Sequence, residues 1–243
     1  MKKIAIALLL LVSTITFGQE KVLLRLNYKK GDKYQTHMKM KQDMGVMVMD
    51  MEMTMEMFVE AVKDKKYDLK NNFTFFSTVM EQGGEKMVYN SKMKDEELSG
   101  EAKKMASTMK PLLETTIFLN MDDLGNSKLI KLVPEVAGVT QLKDQMSSVQ
   151  YPKEQVSVGS TWVNVQKTNN IGMEMTYTVT EITKDYVLAD ITGKVSLMPG
   201  AKIGGKLKID RTTGIPSYMN MKLEAEMMGV TMKMDSEVNM KKI

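Results

Sequence analysis

A two-residue alternation of apolar and polar side chains constrains this chain more than any other feature. Between Met47 and Ala61 the odd positions are apolar and the even positions are largely acidic. Successive side chains of a β-strand point to opposite faces, so this pattern predicts a strand with one apolar face, whereas a helix would scatter both sets around its circumference. The apolar positions are Met47, Met49, Met51, Met53, Met55, Met57, Val59 and Ala61.

The alternation recurs along the chain and predicts an antiparallel sheet. Antiparallel sheets with one covered face give this pattern, whereas parallel strands buried on both faces form continuous apolar runs. We therefore expect a mainly β (α+β) protein with a long, curved antiparallel sheet or open barrel. In one further strand, Tyr67, Leu69, Phe73 and Phe75 are expected to share a face. The remaining one-sided segments are 34–40, 173–179, 187–195, 203–209, 219–227 and 230–240.

Two segments with helical spacing interrupt the strands. In residues 95–114 the apolar side chains recur every three or four positions, which is typical of an amphipathic helix, and Pro111 is expected to kink or restart it. Residues 134–149 repeat the pattern more weakly, with Pro134 suitably placed near a helix start. The sequence thus predicts two intervening helices.

The chain is predicted to consist of two related β units in one compact domain. Residues 53–62 align with residues 173–182, and each segment is followed by a lysine–aspartate turn and a tyrosine. The alternative is that β-meanders with similar turns resemble one another by chance. The predicted organisation is a signal peptide at 1–18, a first β unit at 19–94, a helical connecting region with a short hairpin at 95–150, and a second β unit at 151–243.

The first residues have the pattern of a secretory signal. Lys2 and Lys3 precede the apolar run Ile4–Val12, and small residues lead to an expected cleavage after Gly18. The run is shorter than the roughly 20 residues that span a bilayer. We expect a periplasmic or secreted protein with no transmembrane segment in the mature chain; periplasmic, surface-displayed and released forms all remain open.

Composition excludes several kinds of chemistry. The chain has no cysteine and only one histidine, which excludes disulfides, thiolate sites and multi-histidine metal sites. The nucleophile motif G-x-S-x-G does not occur. The net charge is +4, and two of these charges belong to the predicted signal peptide, so no nucleic-acid partner is indicated. We therefore expect the protein not to be an enzyme and to have neither a catalytic residue nor a cofactor.

The 27 methionines are open to three interpretations. Methionine can replace other aliphatic residues as core filler, or form an adaptable surface for an apolar ligand. Thioethers also bind Cu(I) or Ag(I), but same-face residues on one strand lie about 6.6 Å apart, so no metal site is assigned. The leading hypothesis is an exported, non-enzymatic protein that binds a lipid, another hydrophobic ligand or an envelope protein; the alternatives are a soft-metal protein and a structural β scaffold. The predicted lining consists of Met47, Met49, Met51, Met53, Met55, Met57, Met173 and Met175.

Two short segments resemble a known family. Residues 152–162 match the pattern P-x3-V-x2-G-[DS]-x-W, and Gly31-Asp32-Lys33-Tyr34 resembles a first copy of its G-[DS]-x-[YW] element. This pattern is similar to that of an uncharacterised family of exported bacterial proteins, a domain of unknown function, which implies no activity. The overall plan is distantly similar to LolA/LolB-like half-barrels, in which helices cover the apolar concave face of a curved sheet and lipid is held there.

Overall fold

The computed structural model describes residues 20–135, 149–168, 171–196, 198–227 and 229–243. The predicted signal peptide and nearly all of the predicted second helix lie outside these residues, so both stay predictions.

Twelve strands form one antiparallel sheet, which confirms the predicted mainly β fold. The strands are β1 (Lys33–Asp43), β2 (Met47–Lys63), β3 (Lys66–Gln82), β4 (Glu85–Asn90), β5 (Thr116–Asp122), β6 (Ser127–Val133), β7 (Thr161–Thr168), β8 (Ile171–Ile182), β9 (Tyr186–Val195), β10 (Met198–Asp210), β11 (Pro216–Met227) and β12 (Val230–Lys242). Their hydrogen-bonded order is β6-β5-β3-β2-β1-β12-β11-β10-β9-β8-β7, with β4 paired to β3. In the described part of the chain, β6 and β7 do not pair, so the sheet is open.

The sheet curls so that both of its arms bury the same face. One hydrophobic cluster contains Leu69 on β3 and Ile117 on β5 together with Tyr177 on β8 and Leu207 on β10, all fully buried. These strands belong to opposite arms of the sheet. We call the face that they share the inner face and the opposite face the outer face.

An extended segment, residues 22–28, closes one end of the curled sheet. The Val22 amide donates to the Val156 carbonyl, the Leu26 amide to the Asp123 carbonyl, and the Asn27 amide to the Thr213 carbonyl. Asp123 follows β5 and Thr213 follows β10, so the segment connects turns from both arms. We call this region the closed end.

Tyrosines fill the closed end. The Tyr28 ring makes edge-to-face contacts with Tyr34 and Tyr67, at centroid distances of 5.3 and 5.2 Å. The Tyr151 hydroxyl donates to the Gly214 carbonyl at 2.7 Å. Burial raises the pKa of Tyr28 and Tyr151 well above the usual phenol value, and it raises the pKa of Tyr177 to about 12. The cluster is therefore neutral at physiological pH.

The turn before β1 is held by backbone and carboxylate contacts. The Gly31 amide donates to the Val59 carbonyl, and the Val59 amide donates to the Asp32 carbonyl. The Lys29 amide donates to the carboxylate of Asp32 at 3.1 Å. Gly31 has a φ of +88°, a conformation that L-residues rarely adopt.

The turn before β7 repeats these contacts. The Gly159 amide donates to the Val179 carbonyl, and the Val179 amide donates to the Ser160 carbonyl. The Ser157 amide donates to the Ser160 hydroxyl at 2.9 Å. The two G-[DS]-x-[YW] segments thus have the same local structure. Two related halves would produce this likeness, although their common origin stays a prediction.

In the part of the chain that the structure describes there is one α-helix, α1 (Gly100–Leu113), and a 3₁₀ turn precedes it. It packs on β3 and β4 through a second cluster of buried side chains formed by Phe76, Tyr89 and Ala102. The helix is five residues shorter at its start than predicted, and it runs through Pro111, so the expected restart does not occur. Among the described residues, no helix has the length and apolar character needed to cross a membrane.

The predicted common face of β3 is wrong at Phe75. A bulge places Phe73 opposite Met55 and Phe75 opposite Thr54, so Thr74 is an extra residue in β3. An extra residue reverses the alternation beyond it. Phe76 consequently takes the inner face and is buried, while Phe75 lies on the outer face.

Candidate binding face

Half-buried apolar side chains occupy the inner face of the four central strands, β11, β12, β1 and β2. They differ from the inner-face residues of the arms, most of which are buried. We call this set the methionine face. Its members are Met219 and Met221 on β11, Met234, Val238 and Met240 on β12, Met38 and Met40 on β1, and Met49, Met51, Met53 and Met55 on β2.

The strand register joins these side chains into rows that run across the sheet. Met38 lies opposite Met53 on one side and Val238 on the other, and Val238 lies opposite Met219. Directly opposite side chains have Cβ atoms about 4.5–5.5 Å apart, so they touch. The stripes along single strands are thus joined into one patch. On β1, Thr36 lies between Met55 and Met240, and Gln42 lies between Met49 and Met234.

A second row runs parallel to the first. Met40 lies opposite Met51 and Ser236, and Ser236 lies opposite Met221. The Ser236 hydroxyl donates to the carbonyl of Met221 at 3.3 Å, so its polar group is satisfied within the sheet. The second row is therefore apolar except at one small side chain, that of Ser236.

Both rows continue into buried parts of the two arms. The first row leads from Met219 to Leu207 and Ala189, which are fully buried. In the other direction it leads from Met53 to Phe76, which lies under α1. The partly exposed methionines therefore lie between two covered regions rather than at a frayed edge of the sheet.

The predicted lining residues have two different environments. Met57 and Met175 are 6% and 7% exposed and fill the main core. Met173 also packs on that core, and it lies on β8, which five strands separate from β2 in the sheet order. Met53 and Met55 on β2 pack against the same cluster, so residues of both strands contact one core. Met47, Met49, Met51, Met53 and Met55 are half-buried and share one stretch of β2.

Several members of the methionine face were missing from the predicted lining. Met38 and Met40 alternate with polar residues in the sequence, as do Met219, Met221 and Met234. This signal assigns each to an apolar face. It does not reveal that β12 pairs with β1 and thereby brings all of these residues together.

The outer face of the same strands is covered by charges of opposite sign. Lys39 lies opposite Glu52 and Glu237, while Lys41 lies opposite Asp50 and Asp235 in the same way. Cross-strand pairs of opposite charge are favourable, and exposed pairs contribute only modestly to stability. The central strands therefore have one charged, solvated face and one apolar face.

The single histidine belongs to the outer face. His37 Nε2 lies 2.5 Å from Glu52 Oε1, whereas Met38 and Met40 point to the inner face. Within the part of the chain that the structure describes, no three histidine or carboxylate side chains form a group that could hold a metal. A site that combines this histidine with the neighbouring thioethers is excluded by the alternation of the strand.

Comparisons with known proteins identify no family. No protein-family model matches the chain, and no curated protein matches it. Lipovitellin, in a structure concerned with its lipid–protein interactions, is similar with a TM-score of 0.47 and 10% identity. That similarity covers 89% of this chain and 25% of the lipovitellin chain. MucB in complex with MucA(peri) gives a TM-score of 0.15 at 10% identity, covering 86% of this chain and 89% of that chain.

Proposed function

We propose that this chain is an exported, non-enzymatic binding protein that holds an apolar ligand, such as the acyl chain of a lipid, on the methionine face. The observation that supports this function is the patch of half-buried thioethers at the centre of the sheet. Contiguous apolar patches on folded proteins mark binding surfaces. Methionine side chains are flexible and polarizable, so they adapt to ligands of different shape.

The dimensions of the patch suit an extended hydrocarbon chain. Four adjacent strands span three inter-strand distances, or about 14 Å. Each methylene group that leaves water contributes about 0.8 kcal/mol. A ligand lying along the row from Met53 to Met219 would therefore be bound by packing alone, because this row contains no charged side chain.

Export is part of the proposal because of the predicted signal peptide, and the periplasm or the exterior would supply envelope lipid. An apolar segment of an envelope protein is the alternative occupant of the same patch. A binding role needs no reactive group, and His37, the only histidine, is bonded to Glu52 on the opposite face.

Binding of a fluorescent fatty-acid analogue, and its displacement by an envelope lipid extract, tests this function. The informative variant is M38Q/M40Q/M221Q, because glutamine has nearly the length of methionine but adds an amide. Burying an amide without a partner costs about 1–3 kcal/mol, so we expect affinity to fall by at least about tenfold.

The matched control is K39Q/K41Q, which changes alternate residues of the same strand on the outer face. We expect it to bind the fatty-acid analogue as the wild type does. Wild-type protein that binds neither the analogue nor the lipid extract, and gains no thermal stability from either, would refute lipid binding and favour a structural scaffold.

A further inference from the structure

We infer that four thioethers on the methionine face, Met38, Met40, Met51 and Met53, form a binding site for one soft monovalent cation, Cu(I) or Ag(I). We call these residues the methionine quartet. The site uses sulfur lone pairs, whereas the proposed ligand-binding function uses apolar area. The two properties can therefore be separated by experiment.

The register of β1 and β2 places the quartet at the corners of a rectangle. Pairing is regular from Lys33 opposite Phe58 to Asp43 opposite Val48, with no bulge, and within it Met38 faces Met53 and Met40 faces Met51. One strand alone offers thioethers only at every second residue. The neighbouring strand supplies two more at the shorter cross-strand distance.

The size of the rectangle allows all four sulfurs to reach one ion. Opposite Cβ atoms are about 5 Å apart and same-strand neighbours about 6.7 Å apart, so each Cβ lies about 4 Å from the centre. Methionine Sδ is two single bonds beyond Cβ, and metal–sulfur bonds in proteins are about 2.3 Å long, as for zinc. The side chains therefore span the distance without a change in the backbone.

The ligand type selects the metal. Thioethers are soft ligands that favour Cu(I), whereas Ca²⁺ and Mg²⁺ need oxygen ligands. The carboxylates of the same strand segment, Asp50 and Glu52, project to the outer face. On the inner face, the β12 neighbours of the quartet are Val238 and Ser236.

Partial burial suits an ion held by neutral ligands. Thioethers do not neutralise the cation, so complete burial of its charge would be costly. Met51 and Met53 pack against the cluster beneath α1, which shields one side of the quartet. All four side chains retain partial exposure, which leaves the other side open to solvent.

Metal competition and NMR test the site on the purified protein. Cu(I) is titrated against a chromophoric chelator, and Ag(I) alone is titrated in chloride-free buffer while the methionine ε-methyl signals are followed by ¹³C NMR. The informative variant is M38L/M40L/M51L/M53L, and the matched control is M219L/M221L/M234L/M240L on β11 and β12. Leucine keeps the surface apolar and removes the sulfur.

We expect wild type and control to bind one ion with similar affinity. Loss of outer-shell partners alone weakens metal sites about 10–100-fold, so loss of the ligands should weaken binding by more than about tenfold. Four ε-methyl signals should shift together at one equivalent of Ag(I). Equal losses in both leucine variants, or none in either, would overturn the site, as would no binding by wild type.

Two further measurements keep the result interpretable. If the quadruple variant does not fold, as judged by circular dichroism, the diagonal variant M38L/M51L replaces it with the same expected direction. Binding of the fatty-acid analogue is measured on the wild-type protein in parallel with metal binding. Metal binding without analogue binding would refute only the proposed function, and the reverse result would refute only the metal site.

Discussion

The carboxylate of Asp32 joins the turn before β1 to the last residues of β12. One carboxylate oxygen accepts from Lys242 at 2.6 Å, and the other accepts from the Tyr34 hydroxyl at 3.0 Å and from the Lys29 amide. Burial by itself would raise the pKa of Asp32, but the hydrogen bonds from Lys242, Lys29 and Tyr34 outweigh it and lower that pKa below its usual value. The ionised form therefore stabilises the fold.

Substitution D32N should reduce stability most at neutral pH. Because the folded-state pKa lies below the unfolded value of about 3.9, this contribution is present above that value and is lost as the pH falls through the folded pKa. We expect a loss of about 1–2 kcal/mol at pH 7, measured by urea denaturation, and a smaller difference near pH 3. Variant E60Q, at an exposed position of β2, should show no such trend. A pH-independent loss in D32N would contradict the electrostatic explanation.

At the scale of elements, β10 shows why some rows of the sheet contain glycine. Gly205 lies between Met221 on β11 and Ile191 on β9. A Cβ atom at Gly205 would lie 2.1 Å from the carbonyl oxygen of Asn220, whereas at Gly204 it would meet no atom within 4 Å. Two adjacent glycines therefore have opposite tolerance for a side chain.

Variants G205A and G204A form a matched pair that tests the close approach of β10 and β11. We expect G205A to lower the free energy of unfolding by at least about 1–3 kcal/mol, since the backbone must shift to admit the methyl group. G204A should be neutral or slightly stabilising, because alanine reduces the entropy of the unfolded chain. Chemical denaturation of both variants measures the difference in their free energies of unfolding. Equal values would show that β10 and β11 can move apart without loss of stability.

The strands were predictable from the sequence to the extent that their features are local. Alternation is a property of a single strand, so it correctly assigned Met47–Met57 and the apolar positions of β9 to one face each. It failed at Phe75 because an extra residue in β3, Thr74, reverses the pattern. Threonine is common in regular strands, so the sequence gives no sign of the bulge. The helix was recognised by its spacing, whereas its first residue was placed five positions too early.

At the scale of the whole molecule, the candidate site depends on long-range pairing that alternation cannot show. The predicted stripe on β2 becomes a patch only because β12 returns to pair with β1. Met173 and Met175 had the same local pattern as Met51 and Met53, yet they lie on β8 in one arm of the sheet and not on its central strands. Sequence reasoning therefore identified candidate side chains without identifying their neighbours.

The tyrosines of the closed end should govern alkaline unfolding of the whole molecule. Their folded-state pKa values are raised above the unfolded value of about 10, so their stabilisation is complete below pH 10 and is lost as the pH rises through the folded values. We expect phenolate absorbance to increase together with the loss of strand signal in circular dichroism. Substitution Y177F should move unfolding to higher pH. Ionisation of all tyrosines near pH 10 in folded protein would contradict this expectation.

The methionine face is complete only after β12 has paired with β1. The bonded residues Asp32 and Lys242 are 210 positions apart, and contacts of such long range form slowly during folding. Until β12 arrives, β1 is an unpaired sheet edge with methionines on one side, a state prone to pairing with other chains. A nascent chain that stops before residue 230 therefore lacks the β12 part of the methionine face, and it exposes β1 as an edge that is prone to aggregation.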